Sequence, residues 1–425
     1  YLSIWHSLHP KVVKEEAKRI SIGSSQCTQP YSASLLNISA MSYGALSSNA
    51  IEALNCGAKA GGFSHNTGEG GVSPYHLKHG GDLVWQIGSG LFGCRNEHGR
   101  FDETKFKTVT ANSAIKMIEI KLSQGAKPGH GGVLPKEKIT DEIATIRGVS
   151  KEHDCVSPAM NPECPTPLKL MAFVAKLRDL SGGKPIGIKL CIGHPAEFLS
   201  ICKAMIDSEI LLDFITVDGA EGGTGAAPLE FSNRLGMMCL EGTYIVHQAL
   251  IGCGLREEVR IIAAGKTASS FDVLAKMAVG ADTVNAARTM MMALGCIQSR
   301  SCNTNHCPTG IATQDPKRSK ALDIKAKSQR VTQFQHNTLH SFYELVGSMG
   351  LDDPALLTPG MLKRRTSEGL LESAPNIVPA LEDKQLVDNH ASALWQEWWH
   401  LANPAAFYIA DTAPLRAKTI PVQNL

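Results

Sequence analysis

Residues 260–288 read RIIAAGKTASSFDVLAKMAVGADTVNAAR. A short apolar run at 260–264 ends in Gly265 and Lys266. A stretch of helical period follows at 269–279, and a second apolar run at 283–286 ends in Ala287 and Arg288. Strand, helix and strand at this spacing form a βαβ unit, the building block of a parallel sheet.

The same alternation extends upstream, with apolar runs at 36–41, 62–66, 83–87, 117–122, 155–157, 186–191 and 213–217. With the two strands of the opening stretch this makes nine, one too many for an eight-stranded barrel. The run at 155–157 is set aside because it is the shortest and enters a loop carrying Pro158, Pro162 and Pro165, which cannot continue a central ladder. Helices are expected at 167–180, 195–208, 241–251, 269–279 and 319–346, the first two opening on a proline that an N-terminal turn tolerates. A doubly wound sheet would place its Gly-rich phosphate loop after the first strand, yet 41–46 holds no GxGxxG. The expected fold is therefore α/β, a (β/α)8 TIM barrel over 35–318, with helical extensions at 1–34 and 319–425. There is no internal repeat or low-complexity linker.

The chain has 425 residues, 43% of them hydrophobic and 19% charged, enough to bury a large core. A net charge of +2 supplies no basic field for nucleic acid or a membrane surface, so the expected ligand is a small molecule. No apolar run approaches the roughly 20 residues a membrane helix requires. Twelve cysteines in a chain of this length are not a small disulfide framework and point to a reducing compartment. That compartment is expected to be the cytoplasm. An organelle matrix or a membrane-associated complex stays open because the chain opens at Tyr1 rather than Met. Cys56, Cys94, Cys191 and Cys239 read as buried thiols. Trp395, Trp398 and Trp399 either pack the tail onto the barrel or form a partner surface.

The chemistry concentrates in 295–314, which begins Gly295-Cys296 and carries Cys302 and Cys307 before Pro308. Spacings of five and then four residues let three thiolates wrap one soft-ligand site, and three ligands suit a three-iron, four-sulfide cluster. Zinc with His306 as fourth ligand, or unliganded thiols, are the alternatives. Gly265 with Lys266 and Ala287 with Arg288 end the last two strands, where this fold grips phosphate; ordinary surface cations are the alternative. Lys189 lies inside the apolar strand 186–191, placed either to stabilise negative charge on a reduced flavin at N1 and O2 or to snorkel from the strand end. Glycine-rich loops at 67–71, 125–132 and 218–225 let backbone lie against a flat ring or a carboxylate.

Taken together, SAMSYGALS (39–47), TGEGG (67–71), GAKPG (125–129), DGAEGGTGAAP (218–228) and CPTGIATQ (307–314) resemble the FMN-binding synthase domain of glutamate synthase, in its shorter stand-alone form. The segments run in family order over about two thirds of the chain. The resemblance implies FMN held by Ser42, Tyr43, Gly44, Lys189, Asp218, Gly222, Gly223, Thr224, Gly265, Lys266, Ala287 and Arg288. It also implies a 3Fe-4S cluster on Cys296, Cys302 and Cys307. The implied reaction reduces an imine of 2-oxoglutarate to glutamate, with electrons entering through the cluster from ferredoxin or another carrier. By the same resemblance Lys127 and Arg147 lie near the 2-oxoglutarate carboxylates and Glu69 beside flavin and substrate. Paired cations also suit a dicarboxylate on charge alone.

The family's GAKPGEGGQLP reads GAKPGHGGVLP here, so His130 and Val133 replace an acid and an amide. His130 is a candidate proton donor or a solvent-exposed loop residue, and the lost amide bears on substrate choice. A glutaminase domain is absent from the sequence, so ammonia, methylamine or a partner would supply nitrogen. Three functions stand: glutamate synthase-like reductive amination, N-methylglutamate synthesis from methylamine, and a non-catalytic electron-transfer or structural subunit. A larger complex or a homo-oligomer is open.

Overall fold

The computed structural model describes residues 2–222, 227–374 and 376–407. Eight parallel strands close into a barrel: β1 (Leu36–Ile38), β2 (His65–Asn66), β3 (Leu83–Ile87), β4 (Ile115–Lys121), β5 (Ile186–Cys191), β6 (Phe214–Asp218), β7 (Arg260–Ala263) and β8 (Thr283–Ala286). Each strand pairs with its successor, and β8 returns to β1 through Val284 opposite Leu36 and Ala286 opposite Ile38. The helices α1 (Ser48–Gly61), α2 (Pro74–Leu77), α3 (Glu103–Thr110), α4 (Pro167–Leu180), α5 (Pro195–Ser208), α6 (Cys239–Gly252), α7 (Ser270–Ala278) and α8 (Ile324–Ser348) follow the strands in turn. The main core lies between the strands and these helices.

The predicted barrel is thus present, with differences that have local causes. β2 is only His65–Asn66 because Gly62, at φ 68°, still caps α1, its N–H donating to Ala58 and Lys59 carbonyls. Cys155–Val156 does form a strand, but it pairs antiparallel with Val133–Leu134 outside the barrel. The continuous helix expected at 319–346 is two helices, Pro316–Ser319 and α8. Asp323 divides them by accepting the Ala326 N–H at 2.8 Å and opening a new helix.

The N-terminal extension, expected to be helical, is mainly strand. Arg19–Ile22 and Tyr31–Ser34 form an antiparallel hairpin, with a single 3-10 turn at Glu16–Lys18 before it. Its alternating Ile22, Tyr31 and Ala33 pack inside the barrel on Val84, Met117, Phe214 and Ile262, which plugs the N-terminal end. Leu2–Ser3 pairs with Lys363–Arg365, which pairs with Leu371–Ser373, so the two extensions share a small sheet. The C-terminal helix Ala393–Leu401 buries Trp395 completely, its Nε1 donating to the Pro379 carbonyl at 2.9 Å. Trp398 meets Trp395 edge-on and Trp399 lies under Lys203 of α5, so these aromatics pack the tail onto the barrel.

Above the plug the barrel interior turns polar. Glu119 of β4, 1% exposed, accepts from Asn66 Nδ2 (2.9 Å), Gln86 Nε2 (2.6 Å) and Thr216 Oγ1 (2.5 Å). A buried carboxylate is costly unless donors surround it. Three strands supply those donors, and they form the floor beneath the C-terminal mouth.

Candidate active site at the barrel mouth

Glu69 follows β2 and sits between Gly88, after β3, and Gly132, after β4; a methyl group at either glycine would strike its side chain. Lys121, last residue of β4, lies 2.8 Å from Glu69 Oε1 and donates at 3.2 Å to Gln124 Oε1. Burial pushes the Glu69 carboxyl up, but Lys121, with Arg147 and Lys127 beyond it, holds it below the usual carboxylate range.

Lys127 is 7% exposed and donates to the Gly131 carbonyl at 3.1 Å. Burial first, and then the charge on Lys121, bring its ammonium below the ordinary lysine value. Arg147 ends the helix Asp141–Arg147, where Gly148 at φ 63° turns the chain away. Its Nη2 donates to the Tyr43 carbonyl at 3.1 Å and approaches Ser42 Oγ at 3.5 Å, while its guanidinium lies over the Phe92 ring at 5.3 Å. The buried Arg147 Nε has no partner among the described residues. Three cations and one carboxylate from four chain segments therefore share the mouth.

The loop after β1 rests on the loop after β2. Gly44 adopts φ 101°, and a methyl group at Gly68 or Gly70 would strike Ser42. Tyr43 is buried, its hydroxyl donating to Glu142 Oε2 at 2.6 Å. Lys189 of β5 pairs with Asp218 at the end of β6 at 3.5 Å. Burial lowers the Lys189 ammonium, yet Asp218, Glu119 and Glu69 outweigh it and raise it. Asp218 also accepts the Gly125 N–H at 3.1 Å, and Gly222 lies against its Oδ1. Gly125 packs on the Gly219 backbone and Gly131 on Ser157 so closely that neither tolerates a side chain. Gly223 and Thr224 lie outside the described residues.

On the far side, Gly265 after β7 is buried against Cys239 and Glu221. Glu221 accepts the Cys239 N–H at 3.0 Å and so caps α6, whose N-cap residue Met238 supplies no side-chain bond. The loops after β7 and β8 are neighbours through the Ala263–Val284 pair, and Thr289 Oγ1 joins them by donating to the Thr267 carbonyl at 2.8 Å. Lys266 and Arg288 are exposed beside these loops, and Ala287 precedes the helix Arg288–Leu294. His130 is exposed at the rim, its ring edge-on to Phe231 at 4.8 Å.

The cysteine segment does not follow β8 directly; the helix Arg288–Leu294 intervenes. It then winds through left-handed backbone at Gln298, Arg300 and Asn305. Cys296 and Cys302 are half-buried, Cys307 is buried and His306 is exposed. Burial pushes the Cys307 thiol up, but the Thr309 hydroxyl and the backbone N–H groups of Ala312, Thr309 and Ile311 bring it below its ordinary value. The Cys296 sulfur accepts the Gln298 N–H at 3.4 Å. Among the described residues no three His, Cys, Asp or Glu side chains are grouped to hold a metal ion. The donor-rich setting is that of Cys307, and the three cysteines are not brought together as a cluster site among the described residues.

Sequence reasoning missed Lys138. Burial drives its ammonium down to about 8. It missed Glu119, an isolated polar residue in an apolar run, and Glu221 within the glycine-rich loop 218–225, since neither has a periodic signature. Cys94 and Cys239 are fully buried and Cys191 nearly so, whereas Cys56 is half-buried. No helix among the described residues is long and apolar enough to cross a membrane.

Residues 6–352 match the family described as the conserved region in glutamate synthase. The chain belongs to the glutamate synthase family. It is 40% identical over 373 residues to the glutamate synthase large subunit-like protein YerD of Bacillus subtilis, covering 87% of this chain and 70% of that protein. It is 36% identical over 316 residues to the archaeal glutamate synthase (NADPH) of Methanocaldococcus jannaschii, covering 74% of this chain and 59% of that relative. Membership places the chain among flavin-dependent oxidoreductases. In architecture it matches a solved flavocytochrome b2 variant with sulfite bound, at a TM-score of 0.51 and 13% identity over 92% of this chain and 81% of that one. At that identity the likeness speaks for the barrel alone.

Proposed function

We propose that the barrel is the synthase unit of a glutamate synthase-like oxidoreductase that converts an imine of 2-oxoglutarate to glutamate. The observation that carries this reading is the grouping of Lys127, Arg147 and Lys121 about Glu69 at the mouth of a barrel of this family. FMN is the proposed cofactor, and when bound it supplies hydride chemistry at its ring. The orphaned Arg147 Nε and the glycines that keep the mouth clear of side chains fit a bound acid and a flat ring.

The chain's residues then divide the work. Arg147 and Lys127 Nζ hold the two carboxylates of the diacid. Glu69, kept ionised by Lys121, accepts from the imine N–H and so orients the C=N bond. Lys189 stabilises negative charge at the reduced ring, and the loops bearing Gly265, Lys266, Ala287 and Arg288 take the phosphate. Reduction adds a hydride to C2 and a proton to nitrogen; His130 at the rim is the proposed proton source. By the family resemblance Cys296, Cys302 and Cys307 would hold a 3Fe-4S cluster, which would supply single-electron transfer with ferredoxin or another carrier. Twelve cysteines in a chain of this length fit a reducing compartment.

A second reading, with methylamine as the nitrogen donor, draws on Val133 and Val156, a cross-strand pair 49% and 63% exposed on the hairpin that carries Gly132 against Glu69. Such an apolar rim favours a methylated amine. Supplied with a reduced viologen, 2-oxoglutarate and either ammonia or methylamine, the purified protein should form glutamate or N-methylglutamate by mass spectrometry. Donor oxidation that ignores 2-oxoglutarate would remove both readings.

A further inference from the structure

Tyr43 is fastened to both ends of the helix Asp141–Arg147. Its hydroxyl donates to Glu142 Oε2 at 2.6 Å in the first turn, and its carbonyl accepts from Arg147 Nη2 at 3.1 Å at the last residue. From 142 to 147 the helix rises roughly 7.5 Å, and one tyrosine braces that length. Gly44 lies along the same helix, where a methyl group would meet Arg147 Nη2 and Ile143.

Tyr75 closes the brace from the other side. It stands on α2, which follows the Glu69 loop and is fixed by a capping box: Ser73 Oγ accepts the His76 N–H, and His76 Nδ1 accepts the Ser73 N–H at 3.2 Å. The Tyr75 hydroxyl donates to the same Glu142 Oε2 at 3.0 Å, and its ring lies 4.8 Å from that of Tyr43. Burial first, and then Glu142, push both phenols up, so both stay protonated and donate. Gly70, next to Glu69, completes the contact, since a methyl group there would strike Arg147 Nη2 and Ser42. One carboxylate oxygen of Glu142 thus joins the loop after β1, the segment that carries Glu69 and the helix that carries Arg147.

A guanidinium on a long side chain grips a carboxylate best when its direction is fixed beforehand, because ordering it on binding weakens the complex. Arg147 Nη2 is committed to the Tyr43 carbonyl, and the buried Nε is left without a partner among the described residues. We infer that Glu142, clamped by the Tyr43 and Tyr75 hydroxyls, is the positioning residue that sets the Arg147 guanidinium beside Glu69 for a substrate carboxylate. The assignment rests on the proposed role of Arg147 as a carboxylate grip.

The test uses the full flavin-loaded chain as wild type, Glu142→Gln, Glu142→Ala, Arg147→Met and the double variant Glu142→Ala with Arg147→Met. FMN per chain and the dissociation constant of 2-oxoglutarate, read from the flavin bands, are measured, with far-UV circular dichroism as the folding control. Glu142→Ala should weaken 2-oxoglutarate binding about tenfold per bound flavin. Glu142→Gln keeps an oxygen that accepts both hydroxyls and should stay within about threefold of wild type. In the Arg147→Met background Glu142→Ala should add less than about twofold, because a residue that acts through Arg147 then has nothing to position. Wild-type affinity in a folded Glu142→Ala chain overturns the inference, as does a Gln variant as weak as Ala or a full further loss in the double variant. If Glu142→Ala does not fold, Tyr75→Phe, alone and with Arg147→Met, is read in the same way, with an expected loss of about threefold for one hydroxyl of the two. Flavin bands of the wild type that ignore 2-oxoglutarate would remove the proposed function itself, before any variant is compared. Wild-type affinity in Arg147→Met would remove the grip, and the inference with it.

Discussion

The Arg147 guanidinium touches the Tyr43 carbonyl, the Phe92 face and Cys155, yet leaves Nε without a partner in the described structure. A carboxylate taken there gains a charge-assisted bond of about 1.5–3 kcal/mol. Arg147→Met should therefore raise KM for 2-oxoglutarate roughly tenfold to a hundredfold in steady-state kinetics, with a smaller effect on kcat. Lys127 is the proposed second grip, and its ammonium is held below the ordinary 10.5. It loses its charge earlier than a solvated lysine, so KM should climb with rising pH before that value is reached, and Lys127→Arg should move the climb higher. His76 tests burial rather than chemistry: fully buried, it is pushed down to about 4. The unfolded chain takes up that proton near 6.5, so stability is complete above this pH and falls toward pH 4 by about 1.4 kcal/mol per unit. In urea titrations between pH 4.5 and 7, His76→Asn, which keeps an acceptor near Nδ1 but does not titrate, should flatten the slope by that amount.

Elements reveal what the residues alone leave open. The loops after β4 and β6 cross at Gly125 and Gly219, and the loop after β4 folds back on itself at Gly131 and Ser157. Gly125→Ala or Gly131→Ala should part these crossings, lowering flavin per chain several-fold while far-UV circular dichroism holds. Strands at 83–87, 186–191 and 283–286 and helices at 167–180 and 195–208 were legible to the residue, because apolar runs with clean caps define them locally. Thr166 with Pro167 and His194 with Pro195 are such caps. The N-terminal hairpin was not legible, since Ile22, Tyr31 and Ala33 find their partners only across the closed barrel. The break before α8 was missed because Asp323 competes with a helical period that runs through it. At the site, Lys127, Arg147 and Glu69 were visible through family motifs and do gather, whereas the anchors Lys138, Glu119 and Glu221 depend on contacts distant in sequence.

The molecule as a whole separates stability from chemistry along the barrel axis, as this fold generally does. Ile22 lies in the plug at the N-terminal end, fully buried. Ile22→Ala should cost about 2–5 kcal/mol in urea unfolding and leave flavin content unchanged, since every proposed flavin and substrate contact lies at the other end. At that mouth a ring and a dicarboxylate are proposed to lie side by side over Glu119, between the cations of β4, β5 and the helix ending at Arg147. Titration of the purified flavoprotein with 2-oxoglutarate, followed by visible absorption, addresses it most directly. One FMN per chain is expected, with a saturable change in the flavin bands that Arg147→Met weakens at least tenfold. A chain that carries no flavin, or a flavin spectrum indifferent to 2-oxoglutarate at millimolar concentration, would contradict it.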